Sequence, residues 1–161
     1  MEIKSIVLRQ VKMELLHPFT TSVGTEVDKD FIVVEVQSKS GLSGWAESVS
    51  IVEPMYNEET VKTNWHMMND HLIPRLSKAS IGHPDDVSDI FKPVRGNFNA
   101  KAAIEGAIWD LYAKENKLSL SKALGGVKNK IEVGVSIGIK DSEQQLLKQI
   151  EDYLKDGYKR I

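Results

Sequence analysis

Cysteine is absent from the 161-residue sequence. Disulfide bonds, thiolate metal sites and a cysteine nucleophile are therefore excluded, and this composition fits a reducing compartment. The first four residues, Met-Glu-Ile-Lys, open no apolar leader, and no apolar run approaches the length that spans a membrane. We therefore expect a cytoplasmic protein with no membrane partner.

An excess of either charge is also absent. The chain has 21 Lys and Arg against 23 Asp and Glu, a formal net charge of −2, and the signs are mixed along its length. A surface without basic excess lacks the electrostatic footprint of a nucleic-acid-binding protein, so no nucleic-acid partner is expected. The hydrophobic content of 41% is typical of a globular domain.

Common catalytic and phosphate-binding motifs are missing as well. The chain contains no G-x-x-x-x-G-K-[ST], G-x-G-x-x-G or G-x-S-x-G sequence. His66 and His71 are five residues apart, so they share a helical face poorly, and we interpret all four histidines as structural or solvated. Glu47 lies in a predicted strand, where spacing alone leaves a surface position and a buried, hydrogen-bonded one equally open.

Alternating apolar and polar residues predict three strands in the first 50 residues. Residues 2–15 place apolar side chains at odd positions, while residues 31–38 and 45–49 are strand-like and joined by the turn-rich sequence KSGLSG. Ile6 and Leu8 interrupt the first alternation, which indicates a bulge or burial on both faces. The pattern predicts an antiparallel meander. The apolar odd positions of the first strand are Ile3, Val7, Val11, Met13 and Leu15.

Helical spacing replaces this alternation after residue 50. Residues 57–76 carry Val61, Trp65, Met68 and Leu72 on one predicted face, with Asn57 as the candidate cap. Three more helices are predicted, over residues 83–94, 99–116 and 119–126. The third of the four contains small residues that permit close packing. Three strands followed by helices are typical of the α+β class.

A different pattern begins after residue 130. Residues 131–139 are nearly all apolar, as expected of a strand buried on both faces, and residues 142–156 predict an amphipathic helix capped by Asp141 or Ser142. Gly134 and Gly138 on this strand are interpreted as relieving crowding. One such βα unit cannot bury its own strand. We therefore predict a domain over residues 1–126 and the start of another over residues 127–161.

The polar stretch at residues 17–30 is long for a connection between two paired strands. It places Phe19 among hydroxyl side chains and Gly24. Such a loop can act as a mobile lid, with the aromatic ring covering a ligand and the hydroxyls binding its polar groups. An ordinary solvated loop has the same composition, and both interpretations stay open at this point.

Seven segments, in this order, resemble the N-terminal part of enzymes of the enolase superfamily. The likeness covers essentially the whole chain and is greatest to the o-succinylbenzoate synthase and N-acylamino acid racemase group of the muconate-lactonizing subgroup. The matching segments are HPFTTSVGT (17–25), GWAES (44–48), EPMYNEET (53–60), AKAAIEGAIWDLYAK (100–114), ALGG (123–126), VGVSIGI (133–139) and GYKRI (157–161).

The resemblance implies an α+β capping domain, a three-stranded antiparallel meander followed by helices, ahead of a TIM-like barrel of the (β/α)7β type. Residues 131–139 would form the first barrel strand, residues 142–156 the first helix, and GYKRI would enter the second strand. A complete TIM barrel takes about 250 residues. We therefore expect the chain to be the front part of a larger enzyme, with a truncated barrel. The remainder of the barrel would be its partner.

The chemistry implied by the resemblance is the removal of a proton α to a carboxylate, with Mg²⁺ stabilising the enediolate. In the synthase this leads to loss of water and to o-succinylbenzoate for menaquinone synthesis, and in the racemase the proton returns to either face. The family's metal ligands and acid–base lysines lie on later barrel strands. The resemblance therefore places no catalytic and no metal-binding residue in this chain, which is expected to be inactive alone.

The same resemblance implies where a small-molecule carboxylate substrate is covered. One capping loop closes over it, a second loop lines it, and one residue of the first barrel strand faces it. An alternative function is a free-standing module that binds a small carboxylate without catalysis, and an unburied strand at residues 131–139 would favour the fragment and its self-association. The substrate-binding residues implied are Phe19, Thr20, Thr21, Ser22, Gly24, Met55, Tyr56 and Ser136.

Overall fold

The computed structural model describes all 161 residues. The chain divides into two compact units. The first unit contains residues 1–13 and 30–127, and the second unit contains residues 14–29 and 128–161. Each is described by itself, and the domain boundary drawn after residue 126 stays a prediction.

A three-stranded antiparallel sheet in the order β1-β2-β3 confirms the predicted meander. In the pairing of β2 with β3, Phe31 lies opposite Val49 and Gln37 opposite Ser43. The first two strands are longer than predicted, and only residues 21–24 between them form a turn, so the prediction of a loop over residues 17–30 was wrong in extent. A two-stranded ribbon is held by its backbone hydrogen bonds and tolerates polar side chains on both faces. The strands are β1 (Ile3–Thr20), β2 (Thr25–Ser38) and β3 (Ser43–Val49).

One face of the sheet forms the core of the first unit. Ile32, Val34 and Val36 of β2 are fully buried there, and Ile6 and Leu8 of β1 pack against the same cluster. Of the odd-numbered apolar residues that follow on β1, Val7, Val11 and Leu15 are half-buried, and Met13 is 57% exposed. Ile3 packs against the core as predicted, and Ile6 and Leu8, which interrupted the alternation, pack there as well.

All the predicted helices are present, and the first is divided into three segments. Thr60 caps α1 instead of Asn57, because its hydroxyl accepts from Thr63 N at 3.2 Å while the Thr63 hydroxyl accepts from Thr60 N at 2.8 Å. No helix is both long and apolar enough to cross a membrane. The helices are α1 (Val61–His66), a π-helical segment (Met67–Leu72), α2 (Ile73–Leu76), α3 (Asp86–Phe91), α4 (Phe98–Glu115), α5 (Leu120–Ala123) and α6 (Glu143–Lys155).

The buried stripe of the first helical region differs from the predicted one at a single position. Trp65 is 37% exposed, and Asn64 is fully buried in its place. Val61, Met68 and Leu72 are buried as predicted. Spacings of three and four run through Asn64 as well as through Trp65, so the helical period alone could not choose between them.

Small side chains bring α4 very close to β3. A Cβ atom built on Gly44 of β3 would lie 2.7 Å from the Cβ of Leu111 and nearer still to the Ala107 carbonyl oxygen. On the helix side, a Cβ on Gly106 would lie 3.3 Å from the Cβ of Ala46. A side chain at residue 44 would overlap the backbone of α4, and one at residue 106 would be in tight contact with Ala46. These approaches confirm that the small residues of α4 permit close packing.

In the second unit, α6 begins at the predicted cap, because the Ser142 hydroxyl accepts from Gln145 N at 3.3 Å. Residues 131–139, predicted as a strand buried on both faces, form no regular ladder, and Ile131 is 75% exposed. Their backbone makes two hydrogen bonds, Val135 N to Arg160 O at 3.0 Å and Ile139 N to Thr20 O at 2.9 Å. A parallel strand needs neighbours along both edges and cover on both faces, which these residues alone do not supply.

Candidate substrate-capping site

The hairpin tip, residues 19–25, joins β1 to β2 and contains five of the predicted substrate-binding residues. Its turn is closed by Thr21 N donating to Gly24 O at 2.9 Å, and the Thr21 hydroxyl accepts from Val23 N at 3.2 Å. The Thr20 and Thr25 hydroxyls bond each other at 3.0 Å. The predicted residues of the tip are therefore brought together, and Ser22, which is exposed, presents a hydroxyl that none of these turn contacts uses.

The base of the hairpin tip contacts the segment predicted to be the first barrel strand. The Thr20 carbonyl accepts the Ile139 amide at 2.9 Å, and the Phe19 ring lies beside the backbone of Gly138. Ser136 is two residues earlier on this segment and is exposed. The second unit therefore brings the predicted lid against the same short segment that carries the predicted Ser136 contact.

Met55 and Tyr56 belong to the second loop, residues 51–58, which connects β3 to the cap of α1 in the first unit. Their side chains are 65% and 82% exposed. Neither is held by a side-chain hydrogen bond, and Met55 N donates to Glu53 O at 2.7 Å in the backbone of the loop. Exposed side chains of this kind are free to meet a ligand, and their role stays a prediction.

A buried polar cluster anchors the N-terminal end of the second loop. The Ser50 hydroxyl accepts from Asn64 Nδ2 at 2.9 Å and from Asn99 Nδ2 at 3.0 Å, and Asn64 Nδ2 also donates to the Ser48 hydroxyl at 2.9 Å. Asn64 is fully buried, and its Oδ1 has no partner. Sequence reasoning missed this cluster, although two serines alternating at the end of a strand were the available signal.

Glu59 anchors the other end of the second loop. It is 6% exposed, and its carboxylate accepts from Asn99 N at 3.0 Å and Ala100 N at 3.3 Å. These are backbone groups at the start of α4, whose own cap residue, Asn97, is left-handed and makes no side-chain cap bond. Glu59 therefore complements the N-terminus of α4, although it directly precedes the cap of α1 in the sequence.

Glu35, on the sheet face away from the core, is a carboxylate that the sequence patterns did not single out. It accepts from Gln37 Nε2 at 3.0 Å and from the Ser43 hydroxyl at 2.9 Å, and it pairs with Arg9 at 2.8 Å. These bonds, that from Gln37 most of all, lower the pKa of Glu35 despite its burial. Glu47 is exposed, so of its two open interpretations the surface position is correct.

The histidines and acids of the chain form no metal centre. No group of three or more His, Asp or Glu side chains is arranged to hold a metal ion. His66 pairs with Asp70 at 2.7 Å, which helps to lower the pKa of Asp70 after the larger effect of Asn69. His83 packs edge-on to Trp109 and Tyr112, with ring centroids 5.2 and 4.8 Å apart. His66 and His71 also meet edge-on, with ring centroids 5.0 Å apart. The expectation that a spacing of five keeps them on different faces was wrong, because the π-helical segment brings residues five apart together.

Comparison with known proteins places this architecture among characterised enzymes. Residues 3–125 match the model of the mandelate racemase / muconate lactonizing enzyme N-terminal domain. The chain is 54% identical to o-succinylbenzoate synthase from Geobacillus stearothermophilus over 159 residues, 99% of this chain and 42% of the relative. It is 35% identical to N-succinylamino acid racemase from Thermus thermophilus over 161 residues, 100% of this chain and 43% of the relative.

Solved structures give the same result. An enolase-superfamily protein from Listeria innocua superposes with a TM-score of 0.91 at 36% identity, covering 98% of this chain and 42% of that one. The substrate-liganded L-Ala-D/L-Glu epimerase from Bacillus subtilis superposes with a TM-score of 0.87 at 25% identity, covering 98% of this chain and 44% of that one. The chain thus spans about two fifths of the length of the relatives it matches. It belongs to the mandelate racemase / muconate lactonizing enzyme family of the enolase superfamily, with residues 3–125 as the N-terminal capping domain.

Proposed function

We propose that this chain supplies the substrate-capping part of a magnesium-dependent o-succinylbenzoate synthase or N-acylamino acid racemase. The enzyme would remove a proton α to a carboxylate and then lose water or return the proton. Support comes from relatives of both kinds, which match nearly the whole chain. The substrate would be a small carboxylate, and the partner of this chain would be the remainder of the barrel.

The observation that carries the proposal is the hydrogen bond from Ile139 N to Thr20 O at 2.9 Å. It holds the hairpin tip against residues 138–139. Because Ser136 is two residues before Gly138, a ligand that contacts Ser136 would lie near Phe19. A hairpin that is ordered at its turn and docked at its base has the construction of a lid.

Each residue of the tip has a defined task in this proposal. The Phe19 ring is 43% exposed and covers the apolar part of the substrate, which excludes water and strengthens the polar contacts beneath it. The Ser22 hydroxyl is available to a carboxylate, whereas the Thr20 and Thr21 hydroxyls keep the turn in shape. Gly24 closes the turn through its carbonyl. Met55, Tyr56 and Ser136 are proposed as further substrate contacts on the strength of the resemblance alone.

The proton transfers are not assigned to any residue of this chain. Bound magnesium would neutralise charge on the substrate carboxylate, but the residues present offer no three-ligand group for it. No chemical step is therefore derived within these 161 residues. The proposal is that they bind and enclose the substrate, and that the chain alone gives no turnover.

A chimera tests this proposal directly. The 161 residues are joined to the part of the Geobacillus stearothermophilus synthase that lies beyond the segment matched here. We expect this protein to form o-succinylbenzoate in the presence of Mg²⁺ and to lose that activity with EDTA. The chain alone is measured beside it, together with deuterium incorporation at Cα of an N-succinylamino acid in D₂O, which reports the racemase reaction.

Three outcomes separate the possibilities. Turnover by the chimera and none by the chain supports the proposal. A folded chimera that neither dehydrates nor exchanges its substrate contradicts it. If the chain alone binds o-succinylbenzoate as tightly as the chimera does, the free-standing carboxylate-binding module becomes the better account.

A further inference from the structure

Gly138 lies where the hairpin tip meets the segment of residues 131–139. A Cβ atom built on this glycine would lie 3.1 Å from the Thr20 carbonyl oxygen, and 3.2 and 3.3 Å from two carbons of the Phe19 ring. These separations are closer than ordinary van der Waals contact. Any side chain at residue 138 therefore meets the base of the hairpin tip.

Gly134 and Gly157 of the second unit have different roles. Gly157 has a φ of +93°, which favours glycine whatever surrounds it. Gly134 faces Arg160, whose Nε and carbonyl oxygen would lie 2.9 and 3.2 Å from a built Cβ, so its close contact is with residue 160 and not with the hairpin. Gly138 has no positive φ, and its nearest neighbour is a backbone oxygen. Only the approach of the hairpin requires glycine at residue 138.

The contact and the adjacent hydrogen bond act at the same place. Ile139 N donates to the carbonyl oxygen of Thr20 that a side chain at residue 138 would push away. The carbonyl cannot retreat without moving the strand end that carries Phe19. Displacing the Thr20 carbonyl would lengthen its hydrogen bond with Ile139 N and would also move the Phe19 ring away from residue 138.

We propose that Gly138 is a positioning residue that sets how far the hairpin closes, and with it the depth left for the substrate's acyl chain beneath Phe19. This inference rests on the proposed function, because it treats the hairpin as a lid. A side chain at residue 138 raises the lid. Glycine allows the tightest closure.

Amide hydrogen exchange of the 161-residue chain tests the contact between Gly138 and the hairpin without an activity assay. In Gly138→Ala we expect the Ile139 amide to exchange about tenfold faster, and in Gly138→Val to lose its protection, since overpacking and the lost bond act in the same direction. Gly82→Ala is the matched control, because its Cβ would lie 3.5 Å from Asp86 Oδ2 in ordinary contact and its φ is not positive. It should leave Ile139 exchange unchanged.

All three tryptophans lie in the first unit, at residues 45, 65 and 109. Their fluorescence therefore shows whether each variant keeps that unit folded, and we expect no change in Gly138→Ala. A second background, Phe19→Ala, removes two of the three crowding atoms. There the effect of Gly138→Ala on Ile139 exchange should shrink severalfold.

The result that overturns the inference is unchanged Ile139 exchange in both Gly138 variants. If Gly138→Ala changes Ile139 exchange equally with and without the Phe19 ring, then residue 138 does not act on that ring. This result would refute the proposal that Gly138 controls how far the hairpin closes. In the active chimera, Gly138→Ala should raise KM severalfold with a smaller change in kcat, and a loss of kcat alone contradicts positioning. An inactive chimera counts against the proposed function only, because the exchange measurement stands by itself.

Discussion

Replacing Gly44 by alanine tests how closely α4 packs on the sheet. The new Cβ would lie 2.5 Å from Leu111 N, 2.7 Å from Leu111 Cβ, and closer still to the Ala107 carbonyl oxygen. Two of these neighbours are helix backbone and cannot rotate away. Ordinary contact begins at 3.4 Å, so α4 and β3 must separate by about 1 Å or the helix must distort locally.

The size of the effect follows from two opposing contributions. A glycine-to-alanine change that fits its surroundings stabilises a protein by about 0.4–1 kcal/mol, because it restricts the unfolded chain. Overpacking a well-filled core costs about 1–3 kcal/mol, occasionally more. Backbone neighbours on the helix place Gly44 at the upper end, and we expect a net loss of about 2–3 kcal/mol. For a chain of this size that corresponds to a melting temperature lower by roughly 4–12 °C.

Thermal unfolding followed by circular dichroism and by tryptophan fluorescence measures this loss. Trp45 is next to the substituted residue on β3 and Trp109 lies on α4, so the fluorescence transition reports the affected interface. Gly82→Ala, with its Cβ in ordinary contact, is the control and should unfold at or slightly above the wild-type temperature. An unchanged or higher melting temperature for Gly44→Ala would refute the close packing described here.

Three further predictions concern the carboxylates and the exposed apolar residues. Glu59→Ala leaves the backbone amides at the start of α4 unpaired, so chemical denaturation should show a loss of about 1–3 kcal/mol, and a neutral result contradicts the cap. The pKa of Glu35 lies below its ordinary 4.5, so its contribution is complete above that pH and lost as the pH falls below it. The stability difference between wild type and Glu35→Gln should therefore shrink between pH 7 and pH 3, and a constant difference would be inconsistent with the Gln37 and Arg9 contacts. Leu147 and Leu154 of α6 are exposed, so size-exclusion chromatography should show self-association that rises with concentration and falls in Leu147→Lys/Leu154→Lys. A wild-type monomer at every concentration argues against it.

Sequence patterns predicted the type and order of the elements, except for the strand at residues 131–139, which forms no regular ladder. Three strands, the later helices and the cap at Ser142 are confirmed, because alternation, helical spacing and capping chemistry are local signals. Alternation was incomplete along β1, where Ile6 and Leu8 pack against the core together with Ile3. The sheet has one core face, and a local pattern interrupted by apolar residues cannot say which it is.

The contacts around the candidate site were harder to predict. Glu59 is 40 residues from Asn99, and Ser50 is 49 residues from it, so no local pattern could pair them. The extent of the hairpin was also missed, because backbone pairing outweighs polar composition there. Composition drew attention to Phe19 and Gly24 of the hairpin, but only the resemblance to the enolase superfamily implied that they bind substrate. Composition left an ordinary loop equally open.

The central claim is that the hairpin tip encloses a substrate whose chemistry is carried out by the rest of the enzyme. The most direct test is the steady-state kinetics of o-succinylbenzoate formation by the chimera with and without Phe19→Ala. The claim predicts a kcat/KM lower by about tenfold or more, since a covering aromatic side chain contributes at least about 1.4 kcal/mol, with an unchanged melting temperature. An unchanged kcat/KM in the Phe19→Ala chimera would contradict it.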